Sequence, residues 1–265
     1  MKKTILSIAF SCFIGFTSQA QGLYFGGSVG YGLKAGSTVL GSNNNADGSS
    51  DVVKVSYGAG FASSLSAGYL FNKNIGAELG LGYLIGAKTT IKNTTVNNPG
   101  TAKYSANSFY LNPSFVIRGG EGKIVPYGKM GIFLGMANTG TNDNTSTTIK
   151  GGVITNAEDK IKYKGGISTG ITTAFGVDYM VSDKFAIFGE LFGRLASWSP
   201  ARYTDATTTT TTNPSSNSSS TSSLSISGNF EKHTPSNYIG TNQSSIVVPF
   251  SSIGFNFGVR YFLSK

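Results

Sequence analysis

Cysteine is almost missing from this chain, with Cys12 alone among 265 residues. A disulfide framework, a thiol nucleophile and a Cys-built metal site are excluded beyond it. Histidine is just as scarce, and only His233 offers a side chain that ordinarily titrates near neutrality. Charge is thin as well: Asp, Glu, Lys and Arg make up 12% of the residues, about half of the roughly 25% usual in soluble domains. Outside the N-terminus no apolar run reaches the ~18 residues of a membrane-spanning helix. What is plentiful is 36 Gly, 18 Phe and 13 Tyr. Few charges, many aromatics and no spanning helix together point to a transmembrane β-barrel.

Lys2 and Lys3 precede an apolar stretch from Thr4 to Phe16, and Ser18-Gln19-Ala20 places small residues at a cleavage site. This is the pattern of a secretory signal peptide over residues 1–20, removed after Ala20. A lipoprotein site at Cys12 fits less well, because apolar sequence continues past it. Cleavage removes Cys12 and two lysines, leaving nineteen basic against twelve acidic residues and a formal charge of +7. A basic exported chain suits an anionic lipid surface. Nothing resembles a nucleic-acid-binding motif.

From Leu23 onward the chain alternates. Leu23, Phe25, Val29, Tyr31 and Leu33 share one parity, and Tyr24, Gly26, Ser28, Gly30 and Gly32 the other. Period two is the signature of a strand with one apolar face. The pattern recurs near residues 57–71, 75–86, 105–118, 124–136, 167–181, 185–196 and 246–263. The expected fold is all-β: an eight-stranded antiparallel transmembrane up-and-down β-barrel over residues 21–265.

The connections alternate too. Asn72-Lys73-Asn74, Gly119 to Lys123 and Ser182-Asp183-Lys184 are tight polar turns. Long Asn/Thr/Ser/Gly-rich segments separate them, at about 35–56, 87–104, 137–166 and 197–245. Short turns at one rim and long loops at the other are an outer-membrane arrangement, and an even strand count puts both termini on the periplasmic side. The run from Thr207 to Ser223 reads as low complexity that does not pack. A soluble sandwich is the competing fold, but the polar parity is mostly Gly and Ser, a poor solvent-facing surface. Tyr69, Phe71, Tyr179, Phe185 and Tyr261 gather near the short turns, as an interfacial aromatic girdle would.

Several segments carry a family resemblance. Tyr110-Leu111-Asn112-Pro113-Ser114-Phe115, Pro126-Tyr127-Gly128-Lys129-Met130-Gly131 and Ala174-Phe175-Gly176-Val177-Asp178-Tyr179 resemble the OmpA-type outer membrane β-barrel domain family. So does the turn and strand from Ser182 to Leu191. At the end, Asn256, Gly258, Tyr261 and Leu263 resemble the C-terminal signal read by the barrel-assembly machinery, with Leu263 where an aromatic is commoner. The resemblance implies a barrel in outer membrane lipid and lipopolysaccharide, without the family's peptidoglycan-binding domain.

Inward parity holds Lys34, Arg118, Lys129, Arg194 and Arg260 against Glu78, Asp178 and Glu190. A lone charge inside a narrow barrel is costly, so these are expected to form a lumen charge network. Lys129 and Glu190 sit at similar depth from the short-turn rim, and Glu78 and Arg118 lie on adjacent strands. Glu190 is also the expected partner of Arg194 or Arg260. The sharper alternative is a selectivity lining for a small anion, since positive charges are in surplus.

Catalysis has little to stand on. His233 lies between Lys232 and Thr234 in the fourth loop, with Ser around it but no carboxylate placed to orient it except by folding back Glu231. Glu158-Asp159 is flanked by Lys160, Lys162 and Lys164 and reads as solvated. No His/Cys cluster has metal-ligand spacing, and no cofactor is implied. The expected function is therefore non-enzymatic: a barrel that anchors long surface loops for contact with a cell-surface or glycan ligand, or for envelope integrity. A narrow porin-like channel or carrier for small solutes is the second reading, and a lipid-modifying enzyme a distant third. Small inward residues on strands one to three, facing large ones such as Tyr127, Phe133 and Phe188, predict a plugged bore rather than a general porin.

Overall fold

The computed structural model describes residues 22–36, 38–44, 49–94, 98–231 and 243–263. The expected signal peptide and His233 lie outside the described residues. Strands β1 (Gly22–Lys34), β2 (Thr38–Asn44), β3 (Ser50–Val55), β4 (Gly60–Leu70) and β5 (Ile75–Gly86) open the chain. Next come β6 (Thr89–Asn93), β7 (Gly100–Arg118), β8 (Ile124–Lys150), β9 (Val153–Lys164), β10 (Ser168–Met180) and β11 (Phe185–Trp198). The remainder is β12 (Arg202–Asn213), β13 (Ser218–Glu231), β14 (Gln243–Ser244), β15 (Val248–Pro249) and β16 (Ser252–Phe262). The described residues contain no α-helix, only a 3₁₀ turn at Pro214–Ser216.

Eight of these strands close on themselves. β1 pairs with β4, β4 with β5, β5 with β7, β7 with β8, β8 with β10, β10 with β11, β11 with β16, and β16 with β1, every pair antiparallel. Closure removes the unpaired edges that an open sheet would leave. The eight expected segments are these eight strands. The sixteen strands among the described residues correct the sequence reading, because the described parts of the four long segments are largely strand as well.

Those extra strands extend the same sheet beyond one rim. β7 and β8 run on past the ring, and β9, β12 and β13 add to β8 in succession, while β6, β2 and β3 flank β7. The part of β8 paired with β9, from Thr139 to Lys150, projects ~40 Å at about 3.3 Å per residue. Low complexity did not prevent this. Thr207–Thr212 pairs with Ser219–Leu224 on one side and Ile154–Asp159 on the other. Threonine is β-branched and favours extended backbone, and a ladder of main-chain hydrogen bonds needs no apolar core.

The tight turns occupy the opposite rim. In one, Asn72 Oδ1 accepts from the backbone N–H of Asn74 and of Ile75, 2.9 and 2.8 Å away. In another, the Val181 N–H donates to the Phe185 carbonyl at 2.8 Å. Tyr24 lies opposite Phe262, so the first and last ring strands begin and end at this rim. Phe25, Tyr261 and Phe185 form a cross-strand row just inside it, and Tyr69 packs on Phe71 with ring centroids 5.6 Å apart.

Outside the ring the alternation places Leu23, Phe25, Val29, Leu65, Leu79, Leu81, Ile132, Phe175, Leu191, Phe255 and Phe257, all exposed. Inside it lie two apolar clusters. Tyr24, Leu70, Val125, Met180, Ala186 and Phe262 fill the short-turn end. Val55, Tyr57, Leu84, Ala106, Tyr110, Phe133, Trp198 and Phe250 fill the other.

Candidate functional site

Between the two apolar clusters the bore is charged. Period two on the ring strands turns Glu78, Lys129, Asp178, Glu190, Arg194 and Arg260 inward, and all but Lys129 are under a tenth exposed. Arg118 Nη2 sits 3.1 Å from Asp178 Oδ2, and Arg260 Nη1 bonds Asp178 Oδ1. Arg260 Nη2 lies 3.8 Å from Glu78 Oε2. Lys129 Nζ then reaches Glu78 Oε1 at 3.0 Å and Glu190 Oε2 at 2.8 Å. The result is an unbroken alternating chain from Arg118 through Asp178, Arg260, Glu78 and Lys129 to Glu190. It carries three positive and three negative charges.

Neutral donors complete it. The Tyr24 hydroxyl donates to Glu78 Oε2 and the Tyr127 hydroxyl to Glu190 Oε2, each at 2.9 Å. Asn256 Nδ2 donates to Glu190 Oε1 at 2.8 Å. The Arg260 guanidinium lies 4.2 Å from the ring centres of both Tyr127 and Phe188, a desolvated cation held between aromatic faces. Charges buried this deeply persist because they are paired and hydrogen-bonded on most sides.

Glycines make the room. A Cβ at Gly68 would stand 2.0 Å from Tyr24 Cζ, and one at Gly82 would stand 2.3 Å from Tyr110 Cζ. Each ring therefore lies flat over a bare stretch of the neighbouring strand. At these two positions small meets large between adjacent strands, while around the mid-bore cavity Ser28, Ser64 and Gly80 share a lining with Phe188, Phe192 and Arg194.

Of the residues expected from sequence, Lys129 and Glu190 are in contact, as their depth suggested. The other pairings need correction. Arg118 meets Asp178 and not Glu78, because the β5–β7 register sets Glu78 opposite Ser114. Arg194 has no carboxylate partner among the described residues; its guanidinium stacks 4.2 Å from the Phe133 centroid. Lys34 is exposed at the long-strand rim and stands outside the network. In the expected C-terminal signal, Asn256 serves Glu190, Gly258 lies beneath Phe188, and Tyr261 and Leu263 face outward.

Sequence reasoning missed the aromatic cap over the bore. Trp198 is 1% exposed, donates Nε1–H to the Gly165 carbonyl at 2.9 Å, and meets Phe250 edge-on. Its parity matches that of Glu190 and Arg194, so extending the expected strand 185–196 by two residues would have found it. Phe250 lies within the expected strand 246–263 and shares the inward parity of Gly254 and Asn256, so the same alternation pointed to it.

The protruding sheet carries a basic row. Lys162 and Lys164 share one face of β9, and Arg202 of β12 lies directly opposite Lys164. Together with Thr204, Ser227 and Asn229 they border an open recess of about 650 Å³. Glu158, further along β9, is paired with Lys160 at 2.8 Å. Among the described residues no group of three or more His, Cys, Asp and Glu could hold a metal ion.

No protein-family model matches the chain, and no curated protein does. Among solved structures, the outer membrane protein OprG from Pseudomonas aeruginosa superposes on 93% of this chain and 98% of its own, at 13% identity and a TM-score of 0.41. CarO2 of Acinetobacter baumannii aligns with 92% of this chain and 100% of its own, at 13% identity and a TM-score of 0.34. A major outer membrane protein from Thermus thermophilus aligns with 91% and 99%, at 12% identity and a TM-score of 0.32. Likenesses this distant transfer no function, and the chain's own strands and charges must carry the functional reading.

Proposed function

We propose that this protein is a non-enzymatic integral outer-membrane β-barrel that anchors a surface sheet for contact with an anionic envelope or cell-surface ligand. The observation that carries the reading is the closed ring of eight strands, apolar outside and charge-paired inside. An apolar exterior is stable only in lipid, and a ring without edges satisfies its backbone there. The short-turn rim with both chain ends then faces the periplasm, and the long-strand rim faces outward. The motif segments around Tyr110, Tyr127 and Phe175 support an OmpA-type reading of this barrel. Among the described residues the bore carboxylates Glu78, Asp178 and Glu190 are each held by a cation, which supports a non-enzymatic reading.

The basic row of Lys162, Lys164 and Arg202 favours an anionic partner, lipopolysaccharide phosphate or an acidic glycan. Cells displaying the full chain are expected to retain lipid A vesicles or a sulfated polysaccharide more than cells displaying Lys162→Gln/Lys164→Gln/Arg202→Gln. Equal retention of both probes by both chains would overturn the anionic-ligand reading. Steady conduction is the second reading, and the two apolar plugs stand against it. Planar-bilayer recording showing stable large conductance would reverse that order.

A further inference from the structure

The alternating chain of six charges is balanced, and Arg194 is the seventh charge in the bore. It is 6% exposed. Among the described residues it makes no ion pair, and its Nε and Nη1 have no hydrogen-bond partner. Arg118 and Arg260 also leave nitrogens without a hydrogen bond, but each faces a carboxylate. The rings of Phe133, Tyr110 and Phe192 lie 4.2, 5.2 and 5.7 Å from the Arg194 guanidinium carbon. Stacking serves the face of a guanidinium and leaves its N–H edge still seeking acceptors.

The neighbouring strands add a second orphan. Ser252 of β16 is the direct cross-strand partner of Arg194, is 1% exposed, and its Oγ has no hydrogen-bond partner. Directly opposed residues hold their Cβ atoms about 4.5–5.5 Å apart. On the other side Thr172 faces Arg194, but its hydroxyl already donates to Asn112 Oδ1 at 3.0 Å. The two facing positions thus each bury a polar side chain with atoms that have no hydrogen-bond partner. A cavity of about 60 Å³ opens onto Arg194; Asn112, Thr172, Lys129 and the cation-held carboxylates of Glu78 and Glu190 also line it, and Ser252 does not. At about 10–15 Å³ for one water-sized sphere, it holds a small ion with a few waters and nothing much larger.

Water would satisfy the N–H groups but not the charge. We propose that the bore binds one small monovalent inorganic anion, of halide size, in this cavity against the N–H edge of the Arg194 guanidinium. A single surplus charge sets the stoichiometry at one, and the donor-only edge sets the sign.

The test is urea unfolding of the full chain in detergent micelles, with sodium chloride replacing sodium gluconate at fixed ionic strength. Gluconate is too bulky for the cavity. The expected result is a saturable rise in stability, reaching about a hundredfold in the folding equilibrium constant when chloride is a hundred times its dissociation constant. Arg194→Gln is expected to lose that dependence. Thr172→Glu, which places a covalent counter-charge across from Arg194, is expected to fold without chloride and to be indifferent to it. A wild-type chain whose stability ignores chloride would overturn the proposal, as would an Arg194→Gln chain that keeps the full response. If Arg194→Gln does not fold, a chloride response retained in Thr172→Glu overturns it equally.

Discussion

Replacing Lys129 by Met removes the cation that Glu78 and Glu190 share. Its Nζ is 3.0 Å from one carboxylate and 2.8 Å from the other, and its side chain is only 12% exposed. Neither carboxylate reaches bulk solvent, since Glu78 and Glu190 are 8% and 9% exposed. Glu78 keeps the Tyr24 hydroxyl and the more distant Arg260, and Glu190 keeps Tyr127 and Asn256. Stripping one partner from a buried pair typically costs about 3–5 kcal/mol, and the surviving hydrogen bonds place this variant near the lower end, about 3 kcal/mol. Arg118→Met supplies the internal comparison, because Arg118 ends the chain and Asp178 retains Arg260. Its cost should be smaller, about 1–2 kcal/mol. Adding Glu190→Gln to Lys129→Met should return at least ~1 kcal/mol by neutralising one stranded carboxylate. Urea unfolding followed by the gel shift between folded and boiled barrel reads all four chains. A Lys129→Met cost below ~1 kcal/mol, or one equal to that of Arg118→Met, would refute the shared-cation reasoning.

Two further outcomes follow from the walls of the barrel. Leu65 is 69% exposed at the middle of β4, so Leu65→Arg should cost about 2–4 kcal/mol in a lipid bilayer and much less if that face met water. Equal stability of Leu65→Arg and Leu65→Gln in lipid vesicles would contradict a lipid-facing belt. Gly82→Ala drives a methyl into the Tyr110 ring and should cost about 1–3 kcal/mol, part of it recovered by Tyr110→Ala in the same chain. Strictly additive costs on denaturant unfolding would mean that the close approach is not what Gly82 provides.

What the sequence determined by itself was everything that depends on period two. Leu23 and Phe25 against Tyr24 and Gly26 set which side chains face out and which face in, because alternate side chains on a strand point to opposite faces whatever the partner strand. The same rule sent Glu78, Lys129, Asp178, Glu190, Arg194 and Arg260 into one bore, and the tight turns at 72–74, 119–123 and 182–184 marked one rim. Partner choice was decided only by the closed ring. Glu78 finds Lys129 two strands away across β7, and Lys129 finds Glu190 two strands away across β10. Each crossing adds a register offset, and closure fixes the sum of those offsets only when all eight strands are in place. Depth counted from a turn therefore placed Lys129 beside Glu190, misplaced Arg118, and gave Arg194 a carboxylate it does not have. The Thr/Ser tract shows the same limit. Its composition read as a segment that does not pack, but β9, which lies about fifty residues earlier, supplies a backbone ladder that no local pattern announces.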